Sequence, residues 1–369
     1  MTSKAKNIFI NSSLIFLSFI FGFLGIELFL RQIDTNQMKI MQKNSQDSGS
    51  YRLKPNYKYS KSFRDFDVTI QTNSAGMNWR EVSLKKPDGI KRIAFIGDSF
   101  TFGCWADSIE NTFVGIVDKN LSKNKYEVLN FGVGGYGFDD YELILKEKVS
   151  QYSPDIVVLT SFNGNDFRDT FFGINKYKIK NGTLVWKKRY DGLPENYHPN
   201  LKKSIKLSLQ KLKLYGLLST YLKKQKTELK STEFKVNSDF YSFSYWSQTP
   251  FPKEAQQAVD LSLTHLKNIR EFCSKNNIKL VIVSIPYSQQ VYAKSYTGDS
   301  YRIDYPQTFV QNFADQYKIA YYSLLEPIRQ KWYNNPQVDY YVPYDSHFNT
   351  KGHQLVGSLI TKYLKSLGL

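Results

Sequence analysis

The sequence predicts an α/β protein with a central, mostly parallel five-stranded sheet between two layers of helices. Stretches with helical periodicity separate the strand candidates, and such alternation with helices of about 10–20 residues is typical of a parallel sheet covered on both faces. The candidates have the length and the β-branched and aromatic content of buried strands. They are the five apolar runs at 92–96, 126–131, 155–161, 278–285 and 319–324.

The helices that separate these strands place the layers and the domain boundaries. They are predicted at 109–121, 139–151, 254–276, 305–317 and 350–366. Together they give a three-layer α/β/α sandwich of the flavodoxin-like kind. We expect one domain over residues 91–369, interrupted by an insertion at 168–250. Residues 31–90 come before it as a polar spacer and a strand-rich lead-in.

The N-terminal segment has the pattern of a membrane anchor. No charged residue occurs from Asn7 to Ile26, and twenty helical residues span about 30 Å, the thickness of a bilayer's hydrocarbon core. The run is longer than most cleaved signal segments and no Ala-x-Ala-like site follows it. Residues 1–30 are therefore predicted to be an uncleaved transmembrane signal anchor. A cleaved signal peptide and a buried core helix are the alternatives. Lysines flank both ends, and we expect the larger part of the chain outside the cytoplasm.

The insertion at 168–250 is strongly basic, with 17 Lys/Arg against 6 Asp/Glu, or +11 of the chain's net charge of +17. Between Leu201 and Leu218 apolar residues recur at helical spacing with lysines between them. Three interpretations are open: the helix packs on the domain, it lies on an anionic membrane or covers a cleft, or it binds nucleic acid. The first is favoured, and no nucleic-acid partner is expected.

Four polar or glycine-rich clusters fall at the ends of the predicted strands. Residues 97–103, Gly-Asp-Ser-Phe-Thr-Phe-Gly, follow the first strand directly, and the glycine-dense loop 130–137 follows the second. An amide-rich turn at 163–166 follows the third, and Asp-Ser-His-Phe-Asn occupies 345–349. Open α/β sheets build their sites at the carboxyl ends of the strands. The clusters are therefore expected to converge on one site.

The residue types in these clusters are those that ester hydrolysis through a serine requires. Such a reaction needs a nucleophile, a base, an acid that orients the base, and donors for the oxyanion. Ser99 is the candidate nucleophile, and His347 is the candidate base because Asp345 stands two residues before it. In an extended loop those two positions face the same side. The oxyanion donors would be the backbone N–H groups of Ser99 and Gly135 and the side-chain amide of Asn165.

These four clusters, in this order, resemble the blocks of the SGNH/GDSL hydrolase superfamily. Gly97–Ser99 matches the first block, and Gly135, five residues after an asparagine, matches the glycine of the second. Asn165 and the following Asp match the third block, while Asp345 and His347 match the last. The resemblance implies a serine esterase that uses no cofactor and no metal.

The resemblance covers residues 91–167 and 278–366, and the lead-in Thr72–Gly76 resembles that of membrane-anchored bacterial members. Two positions depart from the family pattern. Asn163 stands where the third block has glycine, and the last block reads Asp-x-His instead of the commoner Asp-x-x-His. The shorter spacing is similar to that of SGNH-like O-acetyltransferases that modify bacterial polysaccharides.

The leading expectation is therefore a membrane-anchored serine esterase that cleaves an O-acyl ester, with an acetyl group on a cell-envelope glycan as the expected substrate. One alternative is a polysaccharide O-acetyltransferase with the same three residues. A second is a non-enzymatic membrane- or glycan-binding module that works through the insertion. His353, expected to cap or pack the last helix, is the alternative base.

Overall fold

The computed structural model describes residues 3–33, 40–43, 51–62, 67–122, 125–173, 177–180, 183–186, 234–237, 239–240, 242–342 and 345–369, with isolated residues between 205 and 218. The chain divides into two compact units. The larger one comprises Lys39–Gly192 and Leu229–Leu369, and the smaller one Met1–Met38 and Leu193–Glu228.

The core of the larger unit is a sheet of five parallel strands, which confirms the predicted fold class. Its strand order is β13-β10-β7-β5-β6. The central strands lack exposed residues except at their first positions, so they read as continuous apolar runs. The strands are β5 (Lys91–Gly97), β6 (Tyr126–Asn130), β7 (Ile156–Phe162), β10 (Lys279–Ile285) and β13 (Ala320–Ser323).

Helices cover the sheet in two layers. The helix Thr350–Ser366 packs on Phe113–Leu121. The helices Phe138–Glu147 and Asp166–Phe172 pack against each other and on Lys253–Lys275. The helices are α1 (Ser3–Ile33), α2 (Ser99–Phe102), α3 (Phe113–Leu121), α4 (Phe138–Glu147), α5 (Asp166–Phe172), α6 (Lys253–Lys275), α7 (Ser288–Tyr292), α8 (Tyr305–Gln316), α9 (Leu325–Asn334) and α10 (Thr350–Ser366).

The five predicted helices are all present, with differences at two ends. Ile109–Asn111 and Val149–Tyr152 are 3₁₀ turns beside α3 and α4, a common form of helix end. The short helices α2, α5, α7 and α9 were not predicted. All four span ten residues or fewer and begin just after the carboxyl ends of strands, where the pattern is too short to show a period.

Short antiparallel pairs make up the remaining strands. They are β1 (Met41–Lys43) with β2 (Tyr51–Leu53), β3 (Lys58–Ser62) with β4 (Asp67–Gln71), β8 (Tyr177–Lys180) with β9 (Thr183–Trp186), and β11 (Thr297–Gly298) with β12 (Tyr301–Arg302). β2, β3 and β4 lie in the lead-in, where strands were expected, whereas β1 lies in the stretch 31–50 that was predicted to be a polar spacer.

The lead-in is joined to the site-bearing end of the sheet by side chains that bond to its loops. The Asn78 amide donates to the carbonyl of Phe102 at 2.8 Å, and the Tyr51 hydroxyl donates to the carbonyl of Gly135 at 3.1 Å. Both acceptors belong to the predicted site clusters. The lead-in therefore supports the loops at the carboxyl edge of the sheet.

The smaller unit is built on the apolar helix α1. Within it, Phe9–Leu30 has a mean hydropathy of 2.3 and is almost wholly exposed, so among the described helices α1 is long and apolar enough to cross a membrane. A signal sequence has the same properties. Glu27 is buried, and its carboxylate accepts the backbone N–H of Leu214 at 3.1 Å. Most of the predicted amphipathic helix around Leu214 lies outside the described residues.

Candidate active site

The turn that carries Ser99 is fixed by its own sequence. Asp98 caps α2, accepting the N–H of Phe100 at 2.9 Å, so Ser99 becomes the first helical residue after β5. A Cβ on Gly97 would lie about 2 Å from the hydroxyls of Thr101 and Thr160; only glycine fits. Gly103 ends the turn at φ 88°, a conformation that favours glycine. We call Gly97–Gly103 the nucleophile turn.

His347 lies against Ser99 from the far end of the chain. Its Nε2 is 2.8 Å from the Ser99 hydroxyl, and its Nδ1 contacts Oδ1 of Asp345. An ionised carboxylate only accepts, so the proton lies on Nδ1 and Nε2 is left to accept the serine proton. The Phe100 ring packs on the imidazole with centroids 4.8 Å apart. The structure thus brings the three predicted residues into one hydrogen-bonded chain.

The loop Asp345–His347, which we call the acid–base loop, reaches this geometry differently from the expected extended loop. Ser346 has φ 69°, in the left-handed region, instead of an extended conformation. The N–H of Val342 donates to the carbonyl of His347 at 2.7 Å, so the loop is closed on itself. The left-handed residue turns the chain so that the carboxylate of Asp345 folds back onto the imidazole of His347.

Asp345 has a further partner that the sequence analysis did not identify. The indole N–H of Trp105 donates to its Oδ1 at 2.6 Å. Burial alone would raise the pKa of Asp345, but the hydrogen bonds from His347 and Trp105 outweigh it and hold that pKa below its usual range. Trp105 is 240 residues away in sequence, and nothing in its surrounding sequence signals the contact.

Asp98 is the second carboxylate beside the nucleophile. It is fully buried, and its Oδ2 lies 3.2 Å from the Ser99 hydroxyl. Burial raises the pKa of Asp98 to about 6, against the N–H of Phe100 and the charge of His347, which lower it. The Ser99 hydroxyl has one proton and two acceptors in reach. The contact to Nε2 is the shorter, so the proton is directed to His347.

The loop that contains Gly135 lies beside Ser99. A Cβ placed on Gly134 would stand 3.8 Å from the Cβ of Ser99, and the N–H of Val133 donates to the carbonyl of Gly97 at 3.0 Å. Gly135 itself has φ 77°, again a conformation that favours glycine. The second cluster therefore converges on the nucleophile as predicted from its place after β6.

Asn165 stands at the end of β7, just before α5. One N–H of its amide donates to the carboxylate of Asp169 at 2.8 Å, which fixes the orientation of the amide because a carboxylate cannot bond to the amide oxygen. A primary amide carries two N–H donors. The bond to Asp169 takes up one of them.

Asn163, which stands where the SGNH/GDSL pattern has glycine, is also at this edge. Its side chain is buried, and neither amide atom has a hydrogen-bond partner among the described residues. Its backbone N–H donates to the carbonyl of Ile285 at 3.1 Å. Nearby, burial and the charge of Asp98 raise the pKa of Asp166 well above its usual range. The Tyr141 hydroxyl donates to Asp166 at 2.9 Å. Asp166 is a buried acceptor that ties α4 to the turn.

His353, the alternative base, has a different place. It is fully buried, and burial lowers its pKa to about 4, so it is neutral. Its Nδ1 accepts the N–H of Phe113 at 3.2 Å, and its Nε2 donates to the carbonyl of Cys104 at 3.3 Å. Both nitrogens bond to backbone, and His347 is the histidine beside Ser99. Within the described residues, no group of three or more His, Cys, Asp or Glu is arranged to hold a metal ion.

No protein-family model and no curated protein matches the chain. Several solved structures are similar to this chain. A two-domain esterase active on acetylated mannans is 14% identical with a TM-score of 0.42; the match covers 75% of this chain and 49% of that one, so the chain spans about half its length. A catalytic mutant of an acetylxylan esterase from Geobacillus stearothermophilus is 12% identical with a TM-score of 0.43, covering 74% and 93%. A GDSL-like lipase from Bacteroides thetaiotaomicron is 14% identical with a TM-score of 0.36, covering 75% and 89%.

Proposed function

We propose that this chain is a serine esterase of the SGNH/GDSL type that cleaves an O-acyl ester through an acyl-enzyme on Ser99. The observation that carries the proposal is the continuous hydrogen-bonded chain from Asp345 through His347 to the Ser99 hydroxyl, with 2.8 Å between Nε2 and Oγ. That distance is within the range for proton transfer between a nucleophile and its base.

In the first half-reaction the Ser99 oxygen attacks the ester carbonyl carbon while its proton moves to Nε2 of His347. The imidazolium that forms is stabilised by the carboxylate of Asp345, which also holds the ring in the productive tautomer. When the tetrahedral intermediate collapses, the C–O bond to the alcohol breaks. The leaving alkoxide takes the proton from Nε2, and the acyl group stays on Ser99.

The negative charge on the tetrahedral oxygen needs donors that are already in place. We assign this role to the backbone N–H groups of Ser99 and Gly135 and to the second amide N–H of Asn165. Two observations support it. The loop that contains Gly135 lies against Ser99, and Asp169 fixes the orientation of the Asn165 amide. Loss of one such donor typically costs about 3 kcal/mol in the transition state.

In the second half-reaction a water molecule replaces the alcohol. Its proton moves to Nε2 of His347 as its oxygen attacks the acyl carbon, and the intermediate releases the carboxylic acid and regenerates Ser99. The proposed substrate is an acetyl ester on a cell-envelope glycan. This follows from the family resemblance and from an anchor that would hold the site at the membrane.

The test is hydrolysis of p-nitrophenyl acetate, butyrate and octanoate by the full chain in detergent, beside Ser99→Ala. Ser150→Ala, a serine on a 3₁₀ turn after α4, is the matched control. We expect release to be fastest with acetate, unchanged in Ser150→Ala, and reduced by about 10⁴-fold or more in Ser99→Ala. Turnover that survives Ser99→Ala contradicts the esterase assignment. A preference for octanoate contradicts only the acetyl substrate.

A second candidate function is O-acetyl transfer, favoured by one observation, the Asp-x-His spacing of Asp345 and His347. A sugar hydroxyl would replace water in the second half-reaction. The partition of acetyl between water and an added acceptor oligosaccharide separates the two functions. Acetylated oligosaccharide that increases with acceptor concentration supports transfer, and acetate alone at saturating acceptor supports hydrolysis.

We also propose that α1 is retained as a single-pass anchor with the esterase unit outside the cytoplasm. The length and hydropathy of Phe9–Leu30 support it. N-terminal sequencing of the membrane-bound protein tests retention: the first residues are expected intact, and a new N-terminus after residue 26 contradicts it.

A further inference from the structure

The carboxylate of Asp345 receives two donors on a single oxygen. His347 Nδ1 and the indole nitrogen of Trp105 both contact Oδ1, the latter at 2.6 Å. The Asp345 side chain is 30% exposed, so water can compete for it. The donor from Trp105 therefore acts on the same atom that orients the base.

Trp105 is itself held in an unusual conformation. Its backbone has φ 68°, a region that bulky side chains rarely occupy unless their surroundings impose it. Buried His353 supplies part of that constraint. It bonds to the carbonyl of the preceding residue, Cys104, and to the N–H of Phe113. One imidazole thus fixes both ends of the segment that carries Trp105.

The acid–base loop bonds its own acid through Nδ1 and the backbone N–H of His347. It has one residue between Asp345 and His347, and that residue, Ser346, is itself at φ 69°. A side chain from outside the loop that bonds to the carboxylate removes its freedom to rotate away from Nδ1. The indole of Trp105 has the required N–H donor and a rigid ring that holds it in place.

We propose that Trp105 is a positioning residue that fixes the Asp345 carboxylate against His347 and so allows the short Asp-x-His spacing to support the base. The proposal rests on the esterase function proposed above. Trp105 acts only through Asp345. Its loss lowers kcat, because the tautomer and orientation of His347 matter to proton transfer, and leaves KM unchanged.

The test is a double-mutant cycle on turnover of p-nitrophenyl acetate by the full chain. Trp105→Phe keeps an aromatic ring and removes the N–H; we expect kcat to fall by about 10- to 100-fold, with KM within about twofold. In an Asp345→Ala background the same change is expected to cost nothing further. Trp79→Phe is the matched control, because the indole of Trp79 donates to the carbonyl of Val128 at 3.0 Å and not to Asp345. The kcat of this variant is expected to equal that of the wild type.

A second variant separates the N–H from the packing of the ring. Incorporation of 3-benzothienylalanine at position 105 replaces the indole N–H by sulfur and keeps the bicyclic shape. It is expected to reproduce the loss in kcat with an unchanged melting temperature. Wild-type turnover in that variant, or equal losses with and without Asp345, overturns the proposal. If the wild type has no Ser99-dependent turnover, the esterase proposal fails and the role of Trp105 fails with it.

Discussion

The nucleophile turn and the acid–base loop meet at one hydrogen bond but are built by different means. The start of the nucleophile turn is fixed by its own residue Asp98, which caps α2, and the rest of the turn packs against β7 and the loop 130–137. The acid–base loop depends on side-chain contacts from elsewhere, among them Trp105 and a bond of 3.4 Å from the Ser288 hydroxyl to Ser346. The position of Ser99 is thus set by a local cap and by backbone packing, whereas the side chains of the acid–base loop are held by residues distant in sequence.

This difference assigns distinct consequences to mutations in the two regions. Changes in the nucleophile turn and the loop packed on it affect the stability of the sheet edge, because backbone contacts backbone there. Changes in the acid–base loop affect turnover first, because its residues are partly exposed. The following substitutions test that distinction.

The largest expected effect is on turnover, from Asp345→Asn. The asparagine amide donates to Nδ1 of His347 and drives the ring proton onto Nε2, so the base can no longer accept the proton of Ser99. A loss of about 10⁴-fold in kcat is expected, as in serine proteases with this change, with a melting temperature close to that of the wild type. Steady-state kinetics and thermal unfolding measure both. A large fall in melting temperature would mean that the acid–base loop also stabilises the fold.

In the loop 130–137, which packs on the nucleophile turn, substitutions are expected to change stability instead of turnover. A Cβ on Gly132 would lie 2.2 Å from the backbone N of Phe102, whereas a Cβ on Gly134 meets nothing closer than Ser99 Cβ at 3.8 Å. Gly132→Ala is therefore expected to lower the unfolding free energy by about 3 kcal/mol or more. Gly134→Ala is expected to leave it within about 0.5 kcal/mol of the wild type. Urea unfolding compares them, and equal stabilities would contradict the backbone packing described here.

Asp98 makes the stability of the nucleophile turn depend on pH. Burial raises its pKa to about 6, against about 3.9 in an unfolded chain. The folded state thus binds the proton more tightly, and stability falls as pH rises from about 4 to 6 and is then level. Over that interval the unfolding free energy of the wild type is expected to fall by about 3 kcal/mol relative to that of Asp98→Asn. If the difference between the two unfolding free energies stays constant from pH 4 to 7, Asp98 does not have a raised pKa in the folded state.

The smallest expected effect concerns Ser346. Glycine adopts φ 69° without strain, so Ser346→Gly is expected to change the unfolding free energy by no more than about 1 kcal/mol and to keep kcat within about threefold. Ser346→Val is expected to reduce kcat more than Ser346→Gly does, because a β-branched residue rarely adopts a left-handed conformation. Equal kcat values for the two would show that the loop does not need the left-handed turn.

Sequence patterns predicted the parts of the molecule that local chemistry determines. The five strands follow from apolar runs and were placed within about two residues. The Ser99 turn follows from the Gly97-Asp98 pair that ends the first of these runs. The left-handed Ser346 was not predicted, since it results from closure of the loop by Val342 and His347. Trp105 was not identified because its contact with Asp345 joins residues that only the folded sheet brings together. Asn163 was noted as a departure, but its burial without partners follows from packing.

The measurement that tests the central claim most directly is mass-spectrometric mapping of the adduct formed with a fluorophosphonate ester. Attack on phosphorus by the Ser99 oxygen expels fluoride as the proton moves to His347, so the covalent product records nucleophile and base together. We expect one adduct, on the peptide that contains Ser99, absent in Ser99→Ala and formed far more slowly in His347→Ala. An adduct on another residue, or labelling of Ser99 at the same rate without His347, would contradict the account.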